Sequence, residues 1–370
     1  MITQKKIKTL HIARRFVSQD LNELNVGFDM EHCIETARLT ERNTVIFQSK
    51  DKKHHKIVKN NLEFYLVPSL FDLFLCTLKQ SKNHDVIIAQ NPFIAGLISV
   101  VVGFFTRKPV IIGVFGEKFS VKKIQQLMKG FVCSRATIIR ANSNVVKNRI
   151  ISWGIDPKKI IVIEDRVDCN HFNPKINGDK IRMKLKITGK MIISIGSLIE
   201  IKGFDTLIDA AKIVLDFDEK IKFIIIGEGP LKEKLIQKTK DLEIEKNIEF
   251  IGKIPTHDMP YYYAASDFVV HPSYTEAMGR VILEAQACAK ALIANRVGGI
   301  PEAVIDKSAL LIEPRDSILL SKSIIKLLKD DKLRKSMGEH GRKFVQERFE
   351  FFNQEEKLMT FYKKTVLNSI

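Results

Sequence analysis

Two carboxylates stand eight residues apart in His271-Pro272-Ser273-Tyr274-Thr275-Glu276-Ala277-Met278-Gly279-Arg280-Val281-Ile282-Leu283-Glu284. An apolar strand ends at Val270, a polar loop follows, and a helix is expected to begin near Gly279. Free backbone N–H groups and the positive dipole end at Gly279–Val281 suit a pyrophosphate. Glu276, in the loop, is placed to accept hydrogen bonds from sugar hydroxyls. Glu284, in the helix's first turns, either accepts the two hydroxyls of a ribose or simply favours its own helix dipole.

Other strand ends carry related chemistry. In Ile195-Gly196-Ser197-Leu198-Ile199-Glu200-Ile201-Lys202-Gly203, Gly196 admits close backbone approach and Lys202 offers a point charge for phosphate. The alternative there is a plain strand-to-helix turn with a solvated lysine. Ile226-Gly227-Glu228-Gly229-Pro230 is a glycine turn with proline at a helix start. It is not a P-loop, because no Gly-Lys-Ser/Thr follows. Arg296-Val297-Gly298-Gly299-Ile300-Pro301-Glu302 is a further glycine turn that lines the same crevice or serves as a tight connection.

These loops need strands beneath them. Met191–Ile195, Lys222–Ile226, Ile248–Ile251, Phe268–Val270, Ala291–Ala294 and Leu310–Ile312 are short and apolar. Segments of helical spacing separate most of them, including Phe204–Leu215, Leu231–Leu242, Met259–Ala265 and Val281–Ala289. Uniformly apolar strands alternating with helices call for a parallel sheet covered on both faces, with ligands outside the strands' C-terminal ends. The first half reads similarly, with strands expected at Ile7–Ile12, Thr44–Phe47, Glu63–Val67, Val86–Ala89, Val110–Val114 and Thr137–Arg140. The expected organisation is a Rossmann-like domain over 1–170, a linker over 171–185 and a second Rossmann-like domain over 186–350. Periodicity makes the stretch from Leu319 to about Leu367 helical, and a C-terminal helix over 351–370 is expected to pack back on the first domain.

Composition narrows the partners. The 370 residues are 45% hydrophobic and 28% charged, which argues against wholesale disorder and against a polytopic membrane protein. The greasy stretch from Val86 to Phe105 is split by Asn91-Pro92 and reads as a strand and a buried helix, short of the ~20 residues a span needs. No signal peptide is expected. Five scattered cysteines (Cys33, Cys76, Cys133, Cys169, Cys288) without a C-x-x-C pair fit a reducing compartment. The net charge is +17; residues 1–170 hold 27 Lys and Arg against 15 Asp and Glu, and 171–370 hold 33 against 28. No helix-turn-helix, RNA-recognition or zinc signature accompanies that charge, so no nucleic acid is expected. An anionic membrane surface is the preferred partner for the basic first domain. Candidate contacts are Lys52, Lys53, His54, His55, Lys56 and Lys59, and Lys122, Lys123 and Lys129; the alternative for each run is a solvated face.

The ordered set over 185–350 resembles the family-4 retaining glycosyltransferases, which have the GT-B fold: two doubly wound Rossmann-like α/β domains facing a cleft. The set comprises Gly196, Lys202 and Gly203; the Gly227 turn; Ile251-Gly252-Lys253-Ile254-Pro255; Tyr262-Tyr263-Ala264-Ala265-Ser266-Asp267 before Pro272-Ser273; Glu276 with Glu284; and Gly298-Gly299 with Glu302. The resemblance implies transfer of a sugar from a nucleotide-sugar donor, UDP- or GDP-linked, to a hydroxyl of a glycan or lipid-linked acceptor. The setting it implies is cell-surface polysaccharide or glycolipid synthesis, in the cytoplasm or at the inner face of the membrane. It gives catalytic roles to Glu276, at the donor sugar, and Lys202, at the donor phosphates. The implied donor site also includes Gly196, Ser197, Gly227, Lys253 and Ile254 beside the base, Met278, backbone amides at Gly279, Arg280 and Val281, and Glu284 at the ribose. No metal and no separate cofactor are implied.

Three positions depart from the family pattern. Ser197 stands where members commonly have Arg; Phe115 occupies the slot of a His; and only Gly27 is available for a Gly-Gly turn after the first strand. Arg14, Arg15 or Arg280 would have to replace the lost cation. The other reading of these departures is a catalytically impaired GT-B protein that binds a nucleotide sugar or serves as a partner subunit.

Overall fold

The computed structural model describes residues 6–13, 37, 39–49, 52–116 and 123–368. Arg14, Arg15, Gly27, Cys33 and Lys122 lie outside the described residues. The chain divides into two compact units, 1–163 with 355–370, and 164–354. Residues 171–185 therefore belong to the second unit: Phe172 is in its core and Asp179–Lys184 forms a short helix there.

Among the described residues the first unit has an eight-stranded sheet. Its strands are β1 (Lys8–Ala13), β2 (Arg42–Gln48), β3 (His55–Lys59), β4 (Leu62–Val67), β5 (Val86–Ala89), β6 (Val110–Val114), β7 (Ile138–Ala141) and β8 (Ile160–Val162). Their order is β3-β4-β2-β1-β5-β6-β7-β8, all parallel except the edge strand β3. Helices α1 (Leu70–Ser81), α2 (Ile94–Thr106), α3 (Lys123–Arg135) and α4 (Asn144–Ser152) connect the strands. β3 was not expected, because its charged residues read as a surface run; its alternation is masked by exposure on an edge. Lys56 there is 3.6 Å from Glu63, so part of the basic run is locally neutralised.

The second unit has the strands β9 (Met191–Ile195), β10 (Lys222–Ile226), β11 (Ile248–Gly252), β12 (Phe268–His271), β13 (Ala291–Asn295) and β14 (Ala309–Ile312). All neighbours are parallel, in the order β11-β10-β9-β12-β13-β14. Its helices are α5 (Asp179–Lys184), α6 (Phe204–Phe217), α7 (Lys232–Asp241), α8 (Met259–Ala265), α9 (Arg280–Ala287), α10 (Ser317–Lys329) and α11 (Asp331–Arg348). Leu207, Ile208, Ala211, Val214 and Leu215 give α6 one buried stripe at helical spacing. Two core clusters result, one on each face of the sheet: Phe204, Leu207, Leu235, Ile324 and Leu327 in one, Met259, Tyr263, Ile282 and Leu283 in the other.

The expected single helical stretch from Leu319 is broken at Asp330, whose carboxylate caps α11 by accepting from the Leu333 N–H. A last helix, α12 (Phe351–Leu367), follows. Its Leu358, Met359, Phe361 and Tyr362 pack with Ile7, Val86, Ile88 and Ile111 of the first unit's sheet. No helix among the described residues is long and apolar enough to cross a membrane.

Candidate functional site

In the second unit the strand order reverses between β9 and β12. The chain leaves β9 toward β10 and leaves β12 toward β13, so the loops after these two central strands part and open a crevice at their C-terminal ends. The loop after β9 carries Gly196, Ser197 and a 3-10 turn, Glu200–Lys202. The loop after β12 carries Ser273 to Gly279. The Tyr274 N–H donates to the Ile201 carbonyl at 2.8 Å, tying the two loops together. Gly203 permits this approach: its φ is +65°, and a Cβ would lie 2.1 Å from the Pro272 oxygen. The Tyr274 hydroxyl donates to Asp205 at 2.7 Å and meets the Thr206 hydroxyl at 2.6 Å, while Arg315 stacks 4.2 Å from its ring.

Lys202 and Glu276 meet across this crevice, with Nζ 2.5 Å from Oε2. His271 Nε2 lies 3.2 Å from the same oxygen and 3.0 Å from the Ser273 hydroxyl. His271 Nδ1 is buried with no hydrogen-bond partner. Burial would raise the Glu276 carboxyl, but hydrogen bonding and attraction from His271 and then Lys202 outweigh it and hold it at about 2. The site is thus a carboxylate kept ionised beside a lysine. The Glu276 carbonyl is held in turn by the Gly299 N–H, and Gly298 packs directly against it.

Gly279, at φ +89°, turns the chain into α9, whose first N–H groups face outward at its N-terminus. Glu284 is buried on that helix. It accepts from the Tyr263 hydroxyl at 2.8 Å and lies 3.6 Å from Arg280. Gly227, at φ +150°, lets the loop after β10 cross the Gly196 carbonyl, where a Cβ would sit at 1.9 Å. Val281 and Ile254 are half-buried against the core, Lys253 and Ser197 are exposed, and the Met278 side chain is fully buried in the core. Sequence reasoning missed His271, Tyr263 as the partner of Glu284, and the Tyr274–Asp205–Thr206 anchor. His271 immediately precedes Pro272-Ser273, the one signal available for it.

In the first unit, Phe115 directly follows β6, with Arg140 4.9 Å from its ring, and it packs against Gly113. Lys129 does not extend a surface patch: it is buried, 5.4 Å from the rings of both Phe93 and Trp153.

Residues 178–344 match the family of glycosyl transferases group 1. Over 202 residues the chain is 35% identical to N-acetyl-alpha-D-glucosaminyl L-malate synthase of Bacillus anthracis, covering 54% of this chain and 50% of that protein. It is 31% identical to D-inositol 3-phosphate glycosyltransferase of Corynebacterium diphtheriae, covering 57% and 53%. The chain spans about half the length of the curated relatives it matches. Among solved structures, Anabaena HepE in complex with UDP superposes with a TM-score of 0.81 at 20% identity, over 97% of this chain and 100% of that one. That likeness shows the fold: two doubly wound α/β units of the GT-B type.

Proposed function

We propose that this protein is a family-4 retaining glycosyltransferase, using a UDP- or GDP-linked sugar and a hydroxyl of a glycan or lipid-linked acceptor. The observation that carries the reading is the Lys202–Glu276 pair at the switch point of a group 1 domain, beside the open N-terminus of α9. In this reading Lys202 and the N–H groups at Gly279–Val281 neutralise the departing diphosphate, without a metal. Glu276 holds the donor sugar hydroxyls, Glu284 the ribose, and Lys253 and Ile254 flank the base. Gly196, Ser197, Gly227 and Met278 contribute backbone or edge contacts around them. Solved complexes of HepE with UDP and UDP-glucose, and relatives named for inositol phosphate acceptors, support this assignment of substrate classes.

In the reaction, the acceptor oxygen bonds to the anomeric carbon as the bond from that carbon to the diphosphate oxygen breaks. The bonding pair leaves on the phosphate oxygen, which takes the acceptor's proton. Attack and departure share one face of the sugar, so configuration is retained through an oxocarbenium-like transition state. A calorimetric screen of UDP-, GDP- and ADP-sugars, followed by anomeric analysis of the product, tests the reading. Tight binding of one donor and a product of retained configuration are expected; an inverted product, or no donor binding, would overturn it.

Phe115, engaged by Arg140, and the exposed Ser197 favour a second reading, a donor-binding subunit without turnover. Slow donor hydrolysis by the purified chain, lost in Glu276→Ala, excludes that one. Work in surface polysaccharide or glycolipid synthesis, at the cytoplasmic face of a membrane, follows from the lipid-linked acceptor and the basic first unit.

A further inference from the structure

Lys202 and His271 reach the same atom of Glu276, its Oε2 oxygen, and no hydrogen bond among the described residues reaches Oε1. The two partners differ in freedom. Lys202 comes from the loop after β9 on a flexible four-carbon stem, and its side chain is 19% exposed. The Glu276 side chain is 17% exposed, so a ligand in the crevice can touch both. His271 is the last residue of β12, aligned with Ala294 of β13, and its side chain is only 3% exposed. The turn after it is fastened from behind, where Asn295 Nδ2 donates to the Pro272 and Ser273 carbonyls at 2.8 and 3.0 Å. His271 is therefore the fixed neighbour of Glu276 and Lys202 the movable one.

In the donor reading above, Lys202 serves two anions, the carboxylate it meets here and the diphosphate it neutralises. A diphosphate carries the larger charge, so its arrival draws Nζ away from Glu276. A carboxylate this buried that loses its cation protonates or turns toward water unless another donor keeps it. An ionised carboxylate only accepts, so Nε2 carries the hydrogen of the His271 contact, and that contact does not depend on Lys202. We propose that His271 is the positioning residue of the sugar subsite: as Lys202 passes from Glu276 to the diphosphate, His271 stays on Oε2 and leaves Oε1 to the sugar hydroxyls. The inference rests on the donor reading and adds to it a residue too buried to touch the substrate itself.

Calorimetry with UDP and UDP-glucose, and with GDP and GDP-mannose, tests it on two variants. His271→Phe keeps a ring and loses the donor; His271→Gln keeps an amide donor. For the pair of probes that the native chain binds, His271→Phe is expected to weaken the nucleotide sugar about tenfold and the nucleotide alone less than about twofold. His271→Gln should recover part of the loss, and Lys202→Met should weaken both probes. Equal weakening of nucleotide and nucleotide sugar in His271→Phe, or none, would overturn the proposal. His271→Leu takes the place of the phenylalanine variant if a thermal melt shows that one unfolded.

A second measurement needs no donor. With glutamate labelled at the carboxyl carbon, the Glu276 resonance is the one lost in Glu276→Gln. His271 and Lys202 are the charged groups that reach this carboxylate, so removing Lys202 imitates its departure. Glu276 is expected to titrate at or below its ordinary 4.5 in Lys202→Met, and about a unit above it in Lys202→Met/His271→Phe, where burial alone acts. Titration below 4.5 in the double variant, or above it in Lys202→Met alone, would overturn the proposal. A native chain that binds neither pair of probes overturns the donor reading instead, and the titration still decides whether His271 holds Glu276 on its own.

Discussion

Lys202 and Glu276, 74 residues apart in the chain, meet on a carboxylate oxygen that His271 also contacts. Each comes from a loop that follows one of the two central strands, so the pair exists only because the sheet order reverses between them. The carboxylate is held ionised far below its ordinary range. Exchanging Glu276 for Gln keeps the shape and removes the charge. Glu276→Gln is expected to lower kcat by roughly 10²–10³-fold, the range for loss of one transition-state electrostatic contact. Lys202→Met should raise the donor Kd as well as lower kcat. Steady-state kinetics of both singles and the double would show coupling of about 1–3 kcal/mol; strict additivity would mean that the two act separately.

Glu284 is tied differently. Its buried carboxylate takes one hydrogen bond from the Tyr263 hydroxyl and has Arg280 one helical turn away. Tyr263→Phe removes the donor and leaves a buried acceptor unpaired, so a stability loss of about 1–3 kcal/mol is expected. Urea denaturation measures it. Arg280→Ala should weaken donor binding by about tenfold if Arg280 supplies the cation missing at Ser197, a charge-assisted contact with phosphate. Unchanged affinity in calorimetry would remove Arg280 from that role.

Gly298 sits beneath the loop that carries Glu276, with φ +53°, and a Cβ there would fall 1.7 Å from the Glu276 carbonyl oxygen. Gly298→Ala must therefore move the loop or unwind the turn. A stability loss of about 1–3 kcal/mol is expected. Transfer activity, measured under conditions where the variant is folded, should fall further than the stability loss explains, because Glu276 is displaced. Gly299→Ala is the comparison, since Gly299 has an ordinary negative φ.

The alternating apolar strands of the second unit were legible because both faces of that sheet are covered, which makes each strand a short unbroken hydrophobic run. Glu276 and Lys202 were legible as crevice candidates because turns at strand ends are short and their residue types are few, and Glu284 because it follows Glu276 at the spacing of the family pattern. Partnerships were not. Nothing in the spacing of Tyr263 and Glu284 says that a hydroxyl on α8 reaches a carboxylate on α9, since that contact depends on how two helices pack on one face. His271 hides for a similar reason: it ends a buried strand, where a histidine reads as core. The edge strand β3 escaped because an exposed antiparallel strand has no apolar face to declare it. Lys129 was misplaced on the surface because its aromatic cage comes from Phe93 and Trp153, residues distant in sequence.

The first unit carries a buried base whose protonation opposes folding. His11, on the central strand β1, is pushed down to about 3, first by burial and then by the positive surroundings of His84 and Arg140. His84 is also lowered, chiefly by burial, although its Nδ1 meets the Gln80 carbonyl at 2.7 Å. In the unfolded chain His11 titrates near 6.5. Between these two values the unfolded state binds a proton that the folded state refuses, so stability falls as the pH drops through this window. The slope reaches about 1.4 kcal/mol per pH unit for one such group. Above pH 7 this contribution is constant. Trp153, the single tryptophan of the chain, lies in the same unit and reports on it by fluorescence. The urea midpoint followed at Trp153 should decrease from pH 7 to pH 5, and His11→Gln should flatten that dependence, with a remainder due to His84. Glu276 does not interfere: its depressed carboxyl contributes stability that is lost only as the pH falls from about 4.5 toward 2. A midpoint that stays level between pH 7 and pH 5 in the native chain would mean that His11 is protonated in the folded state, against its burial beside Arg140.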